Sequence, residues 1–250
     1  MKKLITCLTL LLLCCFCASA MPLKRGGSGE AAFPVRILLT GDSLMAGLGP
    51  HMKREMAGYC NITLIPIGKG STGLSRPDFY DWPRALKENL RKYRPQIVIM
   101  WIGTNDVATS IYNVPGTEEP CSKPWMVAYA NKLYEIAQIC QQYKARLIFM
   151  SPPVMDRPKW DAKLEKITVL MSYICKRNRL GFINTRSIFS DWKGKYTHTK
   201  KLPDGSTGAI RTKDHIHITP DGYKLVMDRL LPYVGYAIPE AKRTRAWSMW

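Results

Sequence analysis

The chain has 250 residues, a length that suits one α/β domain and leaves little room for a second full domain. Hydrophobic residues make up 46% of the chain, as in a globular protein with a core, and there is no long low-complexity tract or internal repeat, which argues against a disordered or repeat protein. The formal net charge of +18 favours binding to polyanions, although it also serves general solubility.

The N-terminus has the pattern of a secretory signal peptide. Lys2 and Lys3 precede an apolar run over residues 4–17, and the small residues 18–20 close it. We therefore expect cleavage after residue 20 and a periplasmic or secreted protein, with an uncleaved membrane anchor as the alternative. Export makes nucleic acid an improbable partner, so acidic glycans, anionic lipid head groups and anionic cell-wall polymers are the polyanions to consider.

Four cysteines remain after residue 20: Cys60, Cys121, Cys140 and Cys175. In an exported protein an even number permits two disulfides, in any of three pairings. The alternative is that some of them are buried free thiols. Their spacing lacks the close pairs that are typical of a structural zinc site, and no metal is expected.

The elements follow one another in a regular order. Residues 21–33 are rich in glycine and predict a flexible linker. Short apolar runs rich in β-branched residues then predict buried strands at 35–40, 62–67, 96–102, 146–150 and 182–184. Helical spacing of apolar residues predicts helices at 83–93, 123–143 and 159–179.

A last helix is expected to begin near Thr219 and Pro220, because threonine is a good N-cap and proline suits the first helical position. The basic and aromatic tail over residues 237–250 either packs on the domain, frays, or touches a membrane or cell-wall surface peripherally. Its anchors are Lys242, Arg243, Arg245, Trp247 and Trp250.

Strands that alternate with helices predict an α/β fold with a mainly parallel sheet covered on both faces. The predicted architecture is a three-layer α/β/α sandwich with five strands, of the flavodoxin-like type, over residues 34–236. In such a sheet the active site lies at the carboxyl ends of the strands.

The first candidate for chemistry is Ser43, in the run Gly41-Asp42-Ser43-Leu44 between the first strand and a helix. A serine on this turn is exposed at a strand end, and its own N–H is one of the donors that a helix start leaves unpaired. The run is not the Gly-x-Ser-x-Gly elbow of α/β-hydrolases, because Met45 occupies its last position. A serine that simply starts the helix is the alternative.

Asp214 and His217 form the second candidate, in a loop just before the last helix. A serine nucleophile needs a base to take its proton, and the base needs a carboxylate that fixes its tautomer. Two alternatives remain: His215 and His217 bind a metal together, or both are ordinary loop histidines.

Two further turns follow predicted strands. The run 68–73 contains three glycines, of which one can bring a backbone N–H close to a reacting oxygen. Asn105 follows the third predicted strand, where a side-chain amide can donate to a developing oxyanion. Each turn alone is ordinary.

Taken in chain order, these four blocks resemble the SGNH (GDSL-type) hydrolases. The resemblance covers residues 35–234 and implies a catalytic triad of Ser43, His217 and Asp214. It also implies an oxyanion hole formed by Ser43, Gly70 and Asn105, with the nearby Gly68 and Gly73 as alternatives to Gly70. No cofactor and no metal are needed by such an enzyme.

The segment 71–83 resembles a subgroup of bacterial envelope proteins described only as a domain of unknown function. By similarity, this subgroup is associated with cell-envelope polysaccharides, so an acylated, anionic glycan is the expected substrate. Within the segment, four side chains are candidates for binding the glycan, and a loop packed against the sheet is the alternative. The candidates are Arg76, Asp78, Tyr80 and Trp82.

The resulting functional hypothesis is an exported serine esterase that removes acyl groups, above all O-acetyl groups, from a polysaccharide. A polysaccharide O-acetyltransferase with the same triad is one alternative. A non-catalytic polysaccharide-binding protein is another. The sequence leaves the oligomeric state open.

Overall fold

The structure, a computed structural model, describes residues 34–59 and 61–234. The predicted signal peptide (1–20), linker (21–33) and tail (237–250) lie outside the described residues, and so does Cys60. Within the described part of the chain, no helix has the length and apolar character needed to cross a membrane.

A five-stranded parallel sheet forms the centre of the fold, in the order β2-β1-β3-β4-β5. The α/β prediction is confirmed, and each strand end lies within one residue of its predicted position. The strands are β1 (Val35–Gly41), β2 (Ile62–Gly68), β3 (Ile97–Trp101), β4 (Arg146–Met150) and β5 (Gly181–Ile183).

Helices cover both faces of this sheet, as the three-layer prediction requires. They are α1 (Ser43–Glu55), α2 (Trp82–Tyr93), α3 (Lys123–Gln142), α4 (Pro158–Arg177) and α5 (Pro220–Val234). Alternate residues of β3 point to opposite faces, so Val98 and Met100 pack with α2, α3 and α4, whereas Ile97 and Ile99 pack with α1 and α5. Both faces of the central strands are thus apolar, which explains their continuous hydrophobic runs.

The strand order places a topological switch point beside β1. The chain leaves β1 for β2 on one side and later returns to β3 on the other side. In the sheet register, Gly41 is level with Gly68 of β2 and with Trp101 of β3, and Trp101 is level with Met150 of β4. The segments that follow these four strands therefore emerge at one edge of the sheet, where a crevice forms.

The sequence analysis missed a small antiparallel hairpin between β5 and α5. Its strands are β6 (Thr199–Lys201) and β7 (Thr207–Ala209). Both strands are polar and mostly exposed, so they lack the apolar alternation by which half-buried strands are recognised.

Three of the four cysteines considered above are buried free thiols: Cys121, Cys140 and Cys175. Burial raises the pKa of Cys140 and of Cys175 to about 12, which keeps these thiols protonated and unreactive. The alternative of buried thiols therefore describes these three positions.

Candidate active site

Ser43 is the first residue of α1 and lies directly after the end of β1. The turn between them requires a glycine, because Gly41 has φ +146° and a Cβ there would lie 1.9 Å from the carbonyl oxygen of Trp101. Asp42 caps the helix by accepting a hydrogen bond from the Leu44 N–H at 3.0 Å. Ser43 is thereby held, half-buried, in the first helical turn at the carboxyl end of β1.

Asp42 itself is fully buried next to Thr104 of the turn after β3. Burial in low dielectric, opposed by a backbone hydrogen bond from Leu44, raises the pKa of this carboxyl from 3.8 to about 7. The residue before the serine is therefore a buried acid that changes its charge near neutral pH.

His217 and Asp214 form a close pair in the loop before α5. The distance from His217 Nδ1 to Asp214 Oδ2 is 2.6 Å. The other carboxylate oxygen, Oδ1, accepts from the backbone N–H groups of Ile216 at 2.8 Å and His217 at 2.9 Å, and from the Thr212 hydroxyl at 2.5 Å. With Nδ1 donating to the carboxylate, Nε2 of His217 is left to accept a proton.

The same hydrogen bonds lower the pKa of Asp214. Desolvation acts to raise its pKa, but the hydrogen bonds from Thr212 and His217 outweigh it and hold the pKa of Asp214 well below its usual value. The carboxylate is thus ionised at neutral pH, so it can stabilise both the orientation and the positive form of the ring.

Among the three glycines of the run 68–73, Gly70 is the one that lies beside Ser43. A Cβ built on Gly70 would be 3.9 Å from the Ser43 Cβ. Gly68 instead packs against the backbone of α1, and Gly73 packs against the carboxylate of Asp106, where a Cβ would come within 2.2 Å of Oδ1. The geometry therefore separates Gly70 from the two glycines that the sequence left as competitors.

Asn105 lies in the turn after β3, and its side chain connects this turn to the one after β2. Its Nδ2 donates to the carbonyl oxygen of Thr72 at 2.9 Å. A side-chain amide carries two N–H donors, so this bond fixes its orientation and leaves the second N–H for another acceptor.

A buried carboxyl group connects the same two turns to α3 by hydrogen bonds. Asp106, next to Asn105, accepts hydrogen bonds from the Ser75 N–H at 2.7 Å and from the Tyr129 hydroxyl at 2.8 Å. Desolvation raises the pKa of Asp106, and it raises the pKa of Tyr129 well above its ordinary value. This network ties α3 to the loops that carry Gly70 and Asn105.

A shallow pocket opens between the Asn105 turn and the Asp214 turn, with about 360 Å³ of empty space that includes open solvent. Besides these turns, the segment after β4 and the start of α4 form its wall. The lining residues are Thr104, Asn105, Met155, Asp156, Arg157, Trp160, Asp214, His215 and Ile216.

A second histidine–carboxylate pair lies in this pocket. His215 Nδ1 is 2.6 Å from Asp156 Oδ2. The sequence analysis considered His215 as a metal ligand beside His217 or as an ordinary loop histidine, and it missed Asp156, because no local pattern connects two residues 59 positions apart. In the structure each of the two histidines has its own carboxylate partner. Within residues 34–59 and 61–234, no group of three or more potential metal ligands comes together.

The four residues predicted to bind a glycan have different environments. Arg76 and Asp78 form a two-pronged ion pair with each other, at 2.8 and 2.7 Å, on the surface. Tyr80 packs edge-on against Trp82, with ring centroids 4.7 Å apart. Trp82, the first residue of α2, packs in the core and is only 1% exposed, so its side chain is not available to bind a glycan as predicted.

The fold is that of solved GDSL-type hydrolases, as the resemblance predicted. Residues 36–233 match the family described as "Protein of unknown function (DUF459)", and the chain belongs to this family. The prediction of a subgroup known only as a domain of unknown function is therefore confirmed.

Solved structures of esterases share this fold. A GDSL-like lipase from Bacteroides thetaiotaomicron superposes with a TM-score of 0.59 at 19% identity, over 81% of this chain and 89% of the lipase. A variant of Axe2, an acetyl xylan esterase from Geobacillus stearothermophilus, superposes with a TM-score of 0.60 at 15% identity, over 84% of this chain and 99% of the esterase.

One relative is also detectable by sequence. The isoamyl acetate-hydrolyzing esterase of Saccharomyces cerevisiae is 23% identical over 176 residues, which cover 64% of this chain and 66% of that esterase. The match thus spans about two thirds of each protein.

Proposed function

We propose that the protein is an exported serine esterase that hydrolyses acyl esters, chiefly O-acetyl esters of a cell-envelope or extracellular polysaccharide. The observation that carries the proposal is the Asp214–His217 pair, with 2.6 Å between Oδ2 and Nδ1, on a turn that shares a pocket with the Asn105 turn. A histidine held by an ionised carboxylate is the base that activates a serine hydroxyl, and we assign that hydroxyl to Ser43 at the start of α1.

In the first half of the reaction, Nε2 of His217 takes the proton of the Ser43 hydroxyl as Oγ attacks the ester carbonyl carbon. The carbonyl π electrons move to oxygen and give a tetrahedral intermediate. Asp214 keeps the imidazolium oriented and stabilises its charge. When the intermediate collapses, the C–O bond to the alcohol breaks, and His217 returns its proton to the leaving alcohol oxygen.

The negative oxygen of the intermediate needs donors that are already in place. The N–H groups of Ser43 and Gly70 and the free N–H of the Asn105 amide are the proposed donors. Each such donor contributes about 3–4 kcal/mol to the stabilisation of a transition state. In the second half, His217 takes a proton from water as the water oxygen attacks the acyl-serine carbonyl carbon. The bond between this carbon and Ser43 Oγ then breaks, His217 returns the proton to Oγ, and the carboxylic acid leaves.

The names of related proteins, the net charge and the N-terminal sequence support an acetylated polysaccharide as the substrate. Two of the structural relatives are named as acetyl xylan esterases, and the sequence relative is named for an acetate ester. The net charge of +18 favours anionic polymers, and the signal-peptide pattern over residues 1–20 indicates export to where such polymers lie.

The test is acetate release from 4-nitrophenyl acetate and from acetylated xylan, comparing the wild type with Ser43→Ala. We expect the variant to lose several orders of magnitude in kcat, because no other group forms the acyl-enzyme. Ser172→Ala is the matched control. Ser172 lies near the end of α4, in a depression with Arg146, the first residue of β4, and thus at the opposite edge of the sheet.

Equal rates for wild type and Ser43→Ala would exclude the proposed mechanism. A folded wild type that releases no acetate from either substrate would instead favour a transferase that requires a specific acceptor, or a binding protein.

A further inference from the structure

We propose that His215 and Asp156 form a subsite for the alcohol part of the ester, a sugar ring whose hydroxyl groups hydrogen-bond to this pair. The proposal rests on the esterase function proposed above. It assigns a role to two side chains that the triad and the oxyanion hole do not use.

The position of the pair favours contact with substrate. Both side chains line the pocket that also contains Asn105 and Asp214, and they are about half exposed, at 50% for His215 and 49% for Asp156. The contact between Nδ1 of His215 and Oδ2 of Asp156 leaves Nε2 of the ring and Oδ1 of the carboxylate for other partners. A donor–acceptor pair of this kind matches the hydroxyl groups of a sugar.

The pair is supported by a neighbouring aromatic ring and by a buried arginine. The ring of Tyr196 lies parallel to that of His215, with 5.8 Å between centroids and 4° between planes. Arg211, which is fully buried, donates from one nitrogen to the carbonyl oxygens of His215 and Val154, each at 3.2 Å. Arg211 thereby joins the turn that carries His215 to the segment that carries Asp156, so the pair is preorganised.

The backbone at His215 adopts a left-handed conformation, with φ +62°. The N–H groups of Ile216 and His217 donate to the Asp214 carboxylate and shape this turn without the side chain of residue 215. The imidazole of His215 is therefore not needed for the turn itself.

The chemistry of the pocket favours a sugar over an acyl chain at this pair. An aliphatic chain offers no hydrogen-bond partner to an imidazole and a carboxylate, whereas each sugar hydroxyl both donates and accepts. The half-buried ring of Trp160 lies in the same pocket and supplies an apolar surface for the C–H face of a sugar. His215 also lies in the same turn as His217, the residue proposed to protonate the leaving alcohol. Side chains beside His217 are therefore expected to contact the alcohol part of the ester.

The experiment compares His215→Asn and Asp156→Asn with the wild type on two acetate esters. Acetylated xylo-oligosaccharide has a hydroxylated alcohol part, and 4-nitrophenyl acetate does not. For each variant we expect the ratio of kcat/KM for the sugar ester to that for the aryl ester to fall about 3- to 10-fold, the value of one lost neutral hydrogen bond. Asparagine is chosen for His215 because it tolerates the left-handed conformation.

Because the two residues act as one unit, the double variant should lose little more than either single variant. Glu88→Gln is the control for a changed surface charge. Glu88 is 60% exposed, forms an ion pair with Arg84 on α2, and should leave the ratio unchanged. Circular dichroism and the Tm check that each variant is folded.

A binding measurement separates this proposal from the esterase mechanism. In a Ser43→Ala background, His215→Asn should weaken the binding of acetylated xylo-oligosaccharide by the same 3- to 10-fold, as measured by calorimetry. The subsite would be overturned by an equal fall in kcat/KM for both esters or by unchanged binding of the oligosaccharide. It would also be overturned if the effect of the variants depended on acyl length, in a comparison of acetate with butyrate esters. If Ser43→Ala hydrolyses esters as fast as the wild type, the esterase mechanism fails, and calorimetry alone decides the subsite.

Discussion

At the scale of single residues, Gly41 and Asp42 determine how Ser43 is presented. Gly41 has no side chain at the point where β1 passes closest to the end of β3, and Asp42 caps the helix that begins with the serine. Neither residue takes part in the proposed chemistry. Both nevertheless fix the position of the hydroxyl, because the strand end and the first helical turn have little freedom to move apart.

Gly41→Ala should be strongly destabilising. The new Cβ would meet the Trp101 carbonyl oxygen at 1.9 Å, and φ +146° is unfavourable for alanine. We expect a loss of more than about 3 kcal/mol in the free energy of unfolding, measured by urea denaturation. Gly58→Ala is the matched control, since a Cβ there meets nothing within 4 Å, and it should change stability by less than about 0.5 kcal/mol. Similar losses for both variants would contradict this account of the turn.

Asp42 should make stability fall as the pH rises from about 4 to 7. Its pKa is about 7 in the folded protein and near 3.8 when exposed, so between these values the folded state holds a proton that the unfolded state releases. Below pH 4 both states are protonated, and above pH 7 the penalty is constant. Asp42→Asn keeps the helix cap and should lack this fall, which amounts to at most about 4 kcal/mol.

The measurement is urea denaturation of both proteins from pH 4 to pH 8. As the pH rises to about 7, the free energy of unfolding of the wild type should fall relative to that of Asp42→Asn. Above about pH 7 the difference between the two proteins should stay constant. A constant difference across this range would mean that the carboxyl titrates near its ordinary pKa.

Local sequence was sufficient to predict some of these residues and not others. The positions of Ser43 and Asn105 follow from strand ends, which a hydrophobic run reveals. The burial of Trp82 cannot be predicted in this way, because an aromatic residue at a helix start packs inward or outward according to its tertiary neighbours. The contact between Asp156 and His215 is likewise set by the folded chain alone.

At the scale of elements, an ion pair fixes the segment that carries Asp156. Arg186, just after β5, forms two hydrogen bonds of 2.8 Å to Asp161 in the first turn of α4. One oxygen of Asp161 also accepts from the Met155 N–H at 2.9 Å. This carboxylate therefore connects β5, α4 and the wall of the pocket.

Arg186→Ala should lower the free energy of unfolding by about 2–3 kcal/mol. The pair is largely buried, with side chains 13% and 20% exposed, so removal of one partner leaves the other poorly compensated. Urea denaturation measures the loss. The control is Arg84→Ala, which breaks the exposed Arg84–Glu88 pair and should cost at most about 0.5 kcal/mol. Equal small losses would show that the buried pair contributes no more than a surface pair.

The regular elements were predictable because their signal lies in short-range periodicity. The five strands and the helices that separate them are apolar at the spacing of their own secondary structure. The β6–β7 hairpin has no such pattern, since its stability comes from backbone pairing and from a turn with Gly205 at φ +85°. Polar, exposed hairpins of this kind are recognised only after the fold is known.

At the scale of the whole molecule, the positive charge should influence which polymers are processed fastest. The net charge of +18 attracts an anionic substrate through a field that salt screens, with a Debye length of about 8 Å at physiological ionic strength. Contacts in the pocket are short and respond less to salt. The two contributions can therefore be separated by ionic strength.

Raising NaCl from 20 to 500 mM should increase KM for an acetylated polyuronate by about tenfold or more, whereas KM for neutral acetylated xylo-oligosaccharide should change less than about twofold. Acetate release is the readout, with 4-nitrophenyl acetate as the control for effects of salt on the reacting groups. The same salt response for both carbohydrates would argue against an anionic substrate.

The proposed reacting groups come from nearly the full length of the folded domain. Ser43 belongs to its first strand–helix turn, and His217 belongs to the turn before its last helix. A chain that ends after β5 would contain the proposed nucleophile without the proposed base. We expect such a truncated chain to release no acetate, even where its strands and helices form.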